Sequence, residues 1–247
     1  FHNRSDGTLV PTQALRRELT ADGFRSLHVL SRGVDTSRFS PARRDASLRR
    51  TWGCGEETVV ALYVGRIAAE KNIDLALAAF DRIRDSRPDS RCILVGDGPE
   101  LARLRRQHPD HIFTGLRIGE ELAAHYASAD LFVFPSLTET FGNVLIEALA
   151  SGVAPIAFDY AAAGEHLRDG VNGYSVGMGD NNAFVARAEQ AVGDRVLLQR
   201  MGQQARRTAE SLSWERIIVD LETRLFSVID CTGSQGDRHE PIAATAE

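Results

Sequence analysis

The stretch from Asp130 to Gly152 constrains the fold of this chain more than any other. Asp130-Leu131-Phe132-Val133-Phe134 is an apolar, aromatic-rich run, the pattern of a strand buried on both faces of a parallel sheet. The chain then turns through a loop beginning at Pro135 and enters a short helix that stops near Gly152. A loop at the carboxyl end of such a strand is where open α/β sheets bind ligands, and a helix N-terminus offers unpaired N–H groups to an anion. Gly142 lets the backbone come close to such a ligand. Glu139, in the loop, is placed to accept hydrogen bonds from hydroxyl groups, and Glu147 lies further along the helix with seven residues between them. Two glutamates eight positions apart are commonplace on solvated surfaces, so the spacing alone assigns nothing.

A second strand-to-helix loop carries complementary charge. Thr58-Val59-Val60-Ala61-Leu62-Tyr63-Val64 reads as a buried strand, and Gly65-Arg66-Ile67-Ala68-Ala69-Glu70-Lys71-Asn72 follows it. The helix after this loop has an apolar stripe of Ile73, Leu75, Leu77, Ala78, Phe80 and Ile83. Arg66 and Lys71 can together neutralise a diphosphate, Arg through its planar fork and Lys as a point charge. Lys71 is the only lysine among 29 basic residues. A helix start disfavours cations, so its placement there asks for a ligand-based reason.

Glu139-x7-Glu147, preceded by Phe-Pro-Ser and carrying Phe141-Gly142 after the first Glu, together with Gly-Arg-x4-Lys, resembles the retaining nucleotide-sugar glycosyltransferases of family 4 with the GT-B fold. Ser136 to Val144 and Asp159-Tyr160-Ala161-Ala162-Ala163 look most like bacterial GDP-mannose-dependent α-mannosyltransferases. The resemblance covers residues 1–228 and identifies the chain as the C-terminal, donor-binding part of such an enzyme. It implies that Glu139 contacts sugar hydroxyls, that Glu147 holds the ribose, and that Arg66 and Lys71 stabilise the departing diphosphate. Arg66, Lys71 and Glu139 are therefore the candidate catalytic residues. Gly65, Phe141, Gly142, Asn143 and Val144 are expected to present backbone groups to the donor. Gly96 and Gly98, in the turn after the strand Arg91–Val95, are expected to line the same cleft. Leu116 and Arg117, after the strand His111–Leu116, are expected to meet the nucleobase through their backbone. Asp97 reads as a turn former.

The fold class this implies is α/β, a Rossmann-like doubly wound parallel sheet of six strands. Residues 1–39 are expected to be a remnant of the N-terminal acceptor domain plus a hinge, and 40–212 the nucleotide-sugar-binding domain. Residues 213–229 are expected to be a crossover helix, and 230–247 a disordered tail. The chain starts at Phe1 without a Met, within sequence that reads as structured, and most of the acceptor domain is expected to be missing. Helices are expected over 181–192 and 195–210, and His125 is expected to be solvated or a satisfied surface histidine.

Net charge is −5, and the arginines are scattered among acidic residues, which excludes a basic stripe for nucleic acid. No apolar run approaches a membrane span of about 18 residues. A cytoplasmic location is expected, with peripheral contact at the inner membrane face through the missing domain. Cys54, Cys92 and Cys231 lack metal-ligand spacing. The absence of any Asp-x-Asp fits a transferase that uses Arg66, Lys71 and a helix dipole, so neither metal nor cofactor is expected and the nucleotide sugar is a co-substrate.

Alternatives remain open at this point. UDP-glucose or UDP-sulfoquinovose could replace GDP-mannose, and the acceptor could be a lipid or a saccharide. The chain alone is expected to bind without turnover. A dinucleotide-dependent oxidoreductase is disfavoured because Leu101 stands where Gly-x-Gly-x-x-Gly needs its third glycine. A GT-B epimerase or phosphorylase would share the fold without the two loop motifs.

Overall fold

The structure, a computed structural model, describes residues 2–233. The chain divides into two compact units, Arg32–Trp214 and the pair of segments Phe1–Ser31 and Glu215–Glu247. In the smaller unit, β1 (Thr8–Val10) and β2 (Leu27–Val29) pair in parallel, with α1 (Gln13–Ala21) between them in sequence. Thr12 caps α1 by accepting a hydrogen bond from the Leu15 N–H.

The larger unit begins with α2 (Ala46–Thr51), capped by Asp45 and closed by the buried Trp52. The strands β3 (Val60–Val64), β4 (Arg91–Val95), β5 (Ile112–Gly115), β6 (Leu131–Phe134), β7 (Ala154–Phe158) and β8 (Tyr174–Val176) follow. Between and after them lie α3 (Ile73–Ser86), α4 (Leu101–Gln107), α5 (Gly119–Ala127), α6 (Asn143–Ala150), α7 (Ala161–His166), α8 (Asn181–Gly193) and α9 (Arg195–Glu210). The last helix, α10 (Trp214–Gly233), runs through residues 230–233, where disorder was expected. The rest of that expectation, 234–247, lies outside the described residues.

All six strands of the larger unit are parallel, in the order β5-β4-β3-β6-β7-β8. Side chains alternate across β3. Val59, Ala61 and Tyr63 join the core beneath α3 and α8, while Val60, Leu62 and Val64 join the core beneath α5 and α6. The result is a three-layer α/β/α sandwich, which explains why its strands read as unbroken apolar runs. On α3, Ile73, Leu75, Leu77, Phe80 and Ile83 are buried as the stripe predicts, but Ala78 faces outward and Ala76 and Ala79 are the alanines that pack inward.

His125 differs from expectation. It is buried, its ring lies 5.5 Å from that of Trp52, and its Nδ1–H donates to the Glu121 carbonyl at 2.7 Å. Trp52 arrives from α2, far away in sequence, so nothing in the local pattern of α5 reveals the cover. Among the described residues, no helix is long and apolar enough to cross a membrane.

The strand order has a direct consequence for the site. From β3 the chain winds outward to β4 and β5, then returns across β3 to β6. The loop after β3 leads to α3 on one face of the sheet, and the loop after β6 leads to α6 on the other. Two adjacent strands with diverging loops leave a crevice at their carboxyl ends, the topological switch point of an open α/β sheet.

Candidate functional site

The loop after β3 is seated on the loop after β4. Ile67 is fully buried, its N–H donates to the Asp97 carbonyl at 2.9 Å, and its own carbonyl accepts from the Glu100 N–H at 3.2 Å. The Gly65 N–H donates to the Val95 carbonyl at 3.1 Å. A Cβ on Gly96 would overlap the Gly65 carbonyl, and one on Gly98 would overlap that of Ile67. These glycines let two backbones touch. Asp97 is a turn former, accepting from the Gly98 N–H at 2.7 Å.

Supported in this way, the first loop presents its cations to the crevice. Arg66 is exposed and paired with Glu70 at 2.9 Å, while its carbonyl accepts from the buried Tyr63 hydroxyl at 2.9 Å. Lys71 ends a 3-10 turn, Ala69–Lys71, and reaches across to the loop after β6. Its ammonium lies 2.6 Å from Glu139 Oε1 and donates to the Thr138 carbonyl at 3.3 Å. Ser136, itself buried, donates to the same Glu139 oxygen at 2.7 Å. Asn72 Nδ2 donates to the Pro135 carbonyl at 3.2 Å, and the Thr138 hydroxyl to that of Glu70 at 3.2 Å. The two loops are thus stitched together by side chains from both, which orders the carboxylate and the ammonium before any ligand arrives.

The far wall is the start of α6. Gly142 takes a left-handed conformation (φ 95°), open to glycine at little cost, and this turns the chain into the helix. The first N–H groups of the helix have no partner within it, and no side chain caps them. Phe141 turns inward instead, buried beside His166, and contributes only backbone to the loop surface.

A cavity of about 380 Å³ joins these features. Of the residues singled out from sequence, Gly65, Arg66, Lys71, Glu139, Phe141, Gly142, Asn143 and Val144 line it. The structure does not bring the others into that lining. Gly96 and Gly98 support the loop from behind, as described. Leu116 is exposed at the end of β5, and Arg117 pairs with Glu121 at 3.4 Å beside a different groove. Glu147 sits one helical turn below the mouth, where its carboxylate accepts from the Tyr126 hydroxyl at 3.0 Å. Burial pushes its pKa up to about 7, with the Tyr126 hydrogen bond pulling the other way.

Sequence reasoning missed Arg32, Tyr63, Val64, Phe134 and Thr140, which also line the cavity. Arg32 lay in plain view, as a cation beside Gly33 in the expected hinge. Tyr63 carried no signal, because inside a buried strand its ring is indistinguishable from core. Chemically, the cleft offers three basic side chains, a fixed carboxylate and a helix N-terminus around one small volume. That set suits a ligand with adjoining anionic and hydroxyl-bearing parts.

The family described as Glycosyl transferases group 1 matches residues 45–208. A GDP-mannose-dependent alpha-mannosyltransferase of Mycobacterium tuberculosis is 38% identical over 224 residues, covering 90% of this chain and 56% of that protein. A sulfoquinovosyl transferase of Arabidopsis thaliana is 31% identical over 237 residues, covering 92% of this chain and 46% of that protein. Among solved structures, Anabaena HepE in complex with UDP matches with a TM-score of 0.80 at 22% identity, covering 91% of this chain and 65% of that one. This last likeness bears on the fold alone. The chain spans about half the length of the curated relatives it matches.

Proposed function

Since the chain belongs to the group 1 glycosyl transferases, we propose that it is the donor-binding part of a retaining hexosyltransferase, with GDP-mannose as donor. The observation that carries this reading is the Lys71–Glu139 pair, set 2.6 Å apart across the switch-point crevice beside the start of α6. In the proposed complex the sugar's hydroxyls donate to Glu139. The diphosphate lies between Arg66, Lys71 and the N–H groups of Asn143 and Val144. Glu147 accepts from the ribose, and backbone groups at Leu116 and Arg117 meet the base. Gly96 and Gly98 keep the cation-bearing loop in register.

The reaction breaks the bond between the anomeric carbon and the donor phosphate oxygen, while the acceptor hydroxyl attacks from the same face. The acceptor proton passes to the departing phosphate oxygen. Negative charge grows on the diphosphate as the bond lengthens, so two fixed cations and a helix N-terminus stabilise the transition state more than the ground state. These side chains supply the charge without a metal or cofactor. A cavity of about 380 Å³ is near the lower end for small-molecule sites. The rest of the enclosure, and a lipid or saccharide acceptor, belong to an N-terminal domain that places the whole enzyme at the cytoplasmic membrane face. The chain alone then binds donor without turnover.

UDP-sulfoquinovose or UDP-glucose is the second reading, favoured by the 31% identity to the sulfoquinovosyl transferase. Transfer assays on the full-length protein, with each donor and a mixture of lipid and saccharide acceptors, separate the two. The expected product is an α-mannoside, formed equally well with chelator present. A β-linked product contradicts retention, and exclusive use of a UDP-sugar replaces the donor assignment.

A further inference from the structure

A second constellation of chemically capable side chains lies away from the cleft. Asp81 sits in the third turn of α3, about 12 Å along the helix axis from its start, and α3 runs away from the cleft-lining loop. His108 caps the end of α4, and His111 immediately precedes β5. The cluster is therefore at the amino ends of the strands, whereas the cleft is at their carboxyl ends. His111 Nε2 is 3.0 Å from Asp81 Oδ1, and His108 Nδ1 is 3.7 Å from Asp81 Oδ2. All three candidate ligand atoms lie within 4.8 Å of one another.

We propose that Asp81, His108 and His111 form a binding site for one borderline divalent metal ion, Zn²⁺ foremost. Two imidazoles and one carboxylate are the donor set that suits such an ion, and His-x-x-His presents both rings from one short turn. Tetrahedral Zn²⁺ with bonds near 2.0 Å holds its ligand atoms about 3.3 Å apart. The two His–Asp separations, 3.0 and 3.7 Å, run to different carboxylate oxygens, and all three ligand atoms lie within 4.8 Å of one another, so rotation of the partly exposed Asp81 and His108 side chains is what brings the set to that spacing.

The surroundings supply one rigid ligand and one open flank. The His111 side chain is 1% exposed and packs against Phe80 at a ring separation of 5.6 Å, which fixes one ligand firmly. Asp81 and His108 are 53% and 26% exposed at the side chain, which leaves one flank open for the ion to enter and for water to complete its coordination. The two imidazole planes are stacked, parallel to within 7°, so the partly exposed His108 ring must turn before both nitrogens can meet at one ion. Arg84, the cation of α3 that acts on this cluster, is itself paired with Asp110 at 3.2 Å, which offsets its repulsion of an incoming ion. Because the ligands come from α3 and from the turn before β5, the ion ties the edge strand of the sheet to the helix layer. Its role is structural, and a water-filled coordination position far from the cleft has no part in sugar transfer.

The same three groups could also serve as a hydrogen-bonded cluster without an ion, and metal titration distinguishes the two. The full 247-residue chain, freed of metal and of any tag, is titrated with Co²⁺ and followed by visible absorption, then with Zn²⁺ in competition. Melting is measured in parallel. Asp81→Asn and His108→Ala are the variants, because both positions are partly exposed and neither belongs to the cleft. The expected result is one saturable equivalent per chain and a melting temperature raised by about 5–10 °C at a roughly hundredfold excess over Kd. Each variant should bind at least about tenfold more weakly. The proposal is overturned if the unsubstituted chain shows no saturable binding, or if both variants bind as it does.

Discussion

Glu139 takes part in three of the cleft's polar contacts. One of its oxygens faces both the Lys71 ammonium and the Ser136 hydroxyl, and its carbonyl accepts from the Tyr160 hydroxyl at 3.1 Å. The carboxylate is held in place and keeps acceptor capacity for a ligand. Glu147 is the opposite case, a carboxyl whose burial makes ionisation unfavourable. Its pKa in the folded chain, about 7, exceeds the ordinary 4.5. The folded state therefore takes up a proton before the unfolded state does as pH falls. Its penalty is complete above pH 7 and absent below pH 4.5. Glu147→Gln keeps an acceptor for Tyr126 and removes the charge. Urea unfolding should find the variant more stable by about 2–3 kcal/mol at pH 8, with the difference gone near pH 4.5. A difference that does not vary with pH would show that the carboxyl is not the source.

At the scale of elements, the cleft depends on the fit between the loops after β3 and β4. Gly98→Ala pushes a methyl into the Ile67 carbonyl, which is backbone and cannot rotate away. The expected loss is about 1–3 kcal/mol of unfolding free energy, read as a lowered urea midpoint, with weaker nucleotide binding because Arg66 and Lys71 ride on the displaced loop. An unchanged midpoint would mean that the loops are not in contact. This scale also shows what sequence can and cannot reveal. Strands β3, β4, β6 and β7 were legible because burial on both faces leaves apolar residues at every position but Arg91, which opens β4. The loop residues were legible because a lone lysine, a Gly-Arg pair and two spaced glutamates stand out against that background. His125 and Ala78 were misplaced, since which helix flank is covered depends on neighbours distant in sequence, Trp52 for the former. The glycines at 96 and 98 read as ligand contacts, yet their close approach to another loop requires knowing that β3 and β4 are adjacent. The Asp81, His108 and His111 cluster was invisible for the same reason, because 26 residues lie between Asp81 and His108.

For the molecule as a whole, topology and chemistry coincide. The six-stranded order places the loops of β3 and β6 on either side of one crevice, and those two loops carry the lysine and the glutamate. The chain spans about half the length of its curated relatives, and in the proposed reading it supplies one wall of the donor cleft. In that reading nucleotide recognition belongs to this wall, where it can be measured without the other. Calorimetric titration of the chain with GDP, UDP and ADP, repeated on Lys71→Ala, addresses it most directly. GDP is expected to bind preferentially, and Lys71→Ala to weaken it by about 1–3 kcal/mol through loss of a charge-assisted contact. A nucleotide bound equally well by both proteins would contradict the assignment of the crevice between β3 and β6 as the donor site.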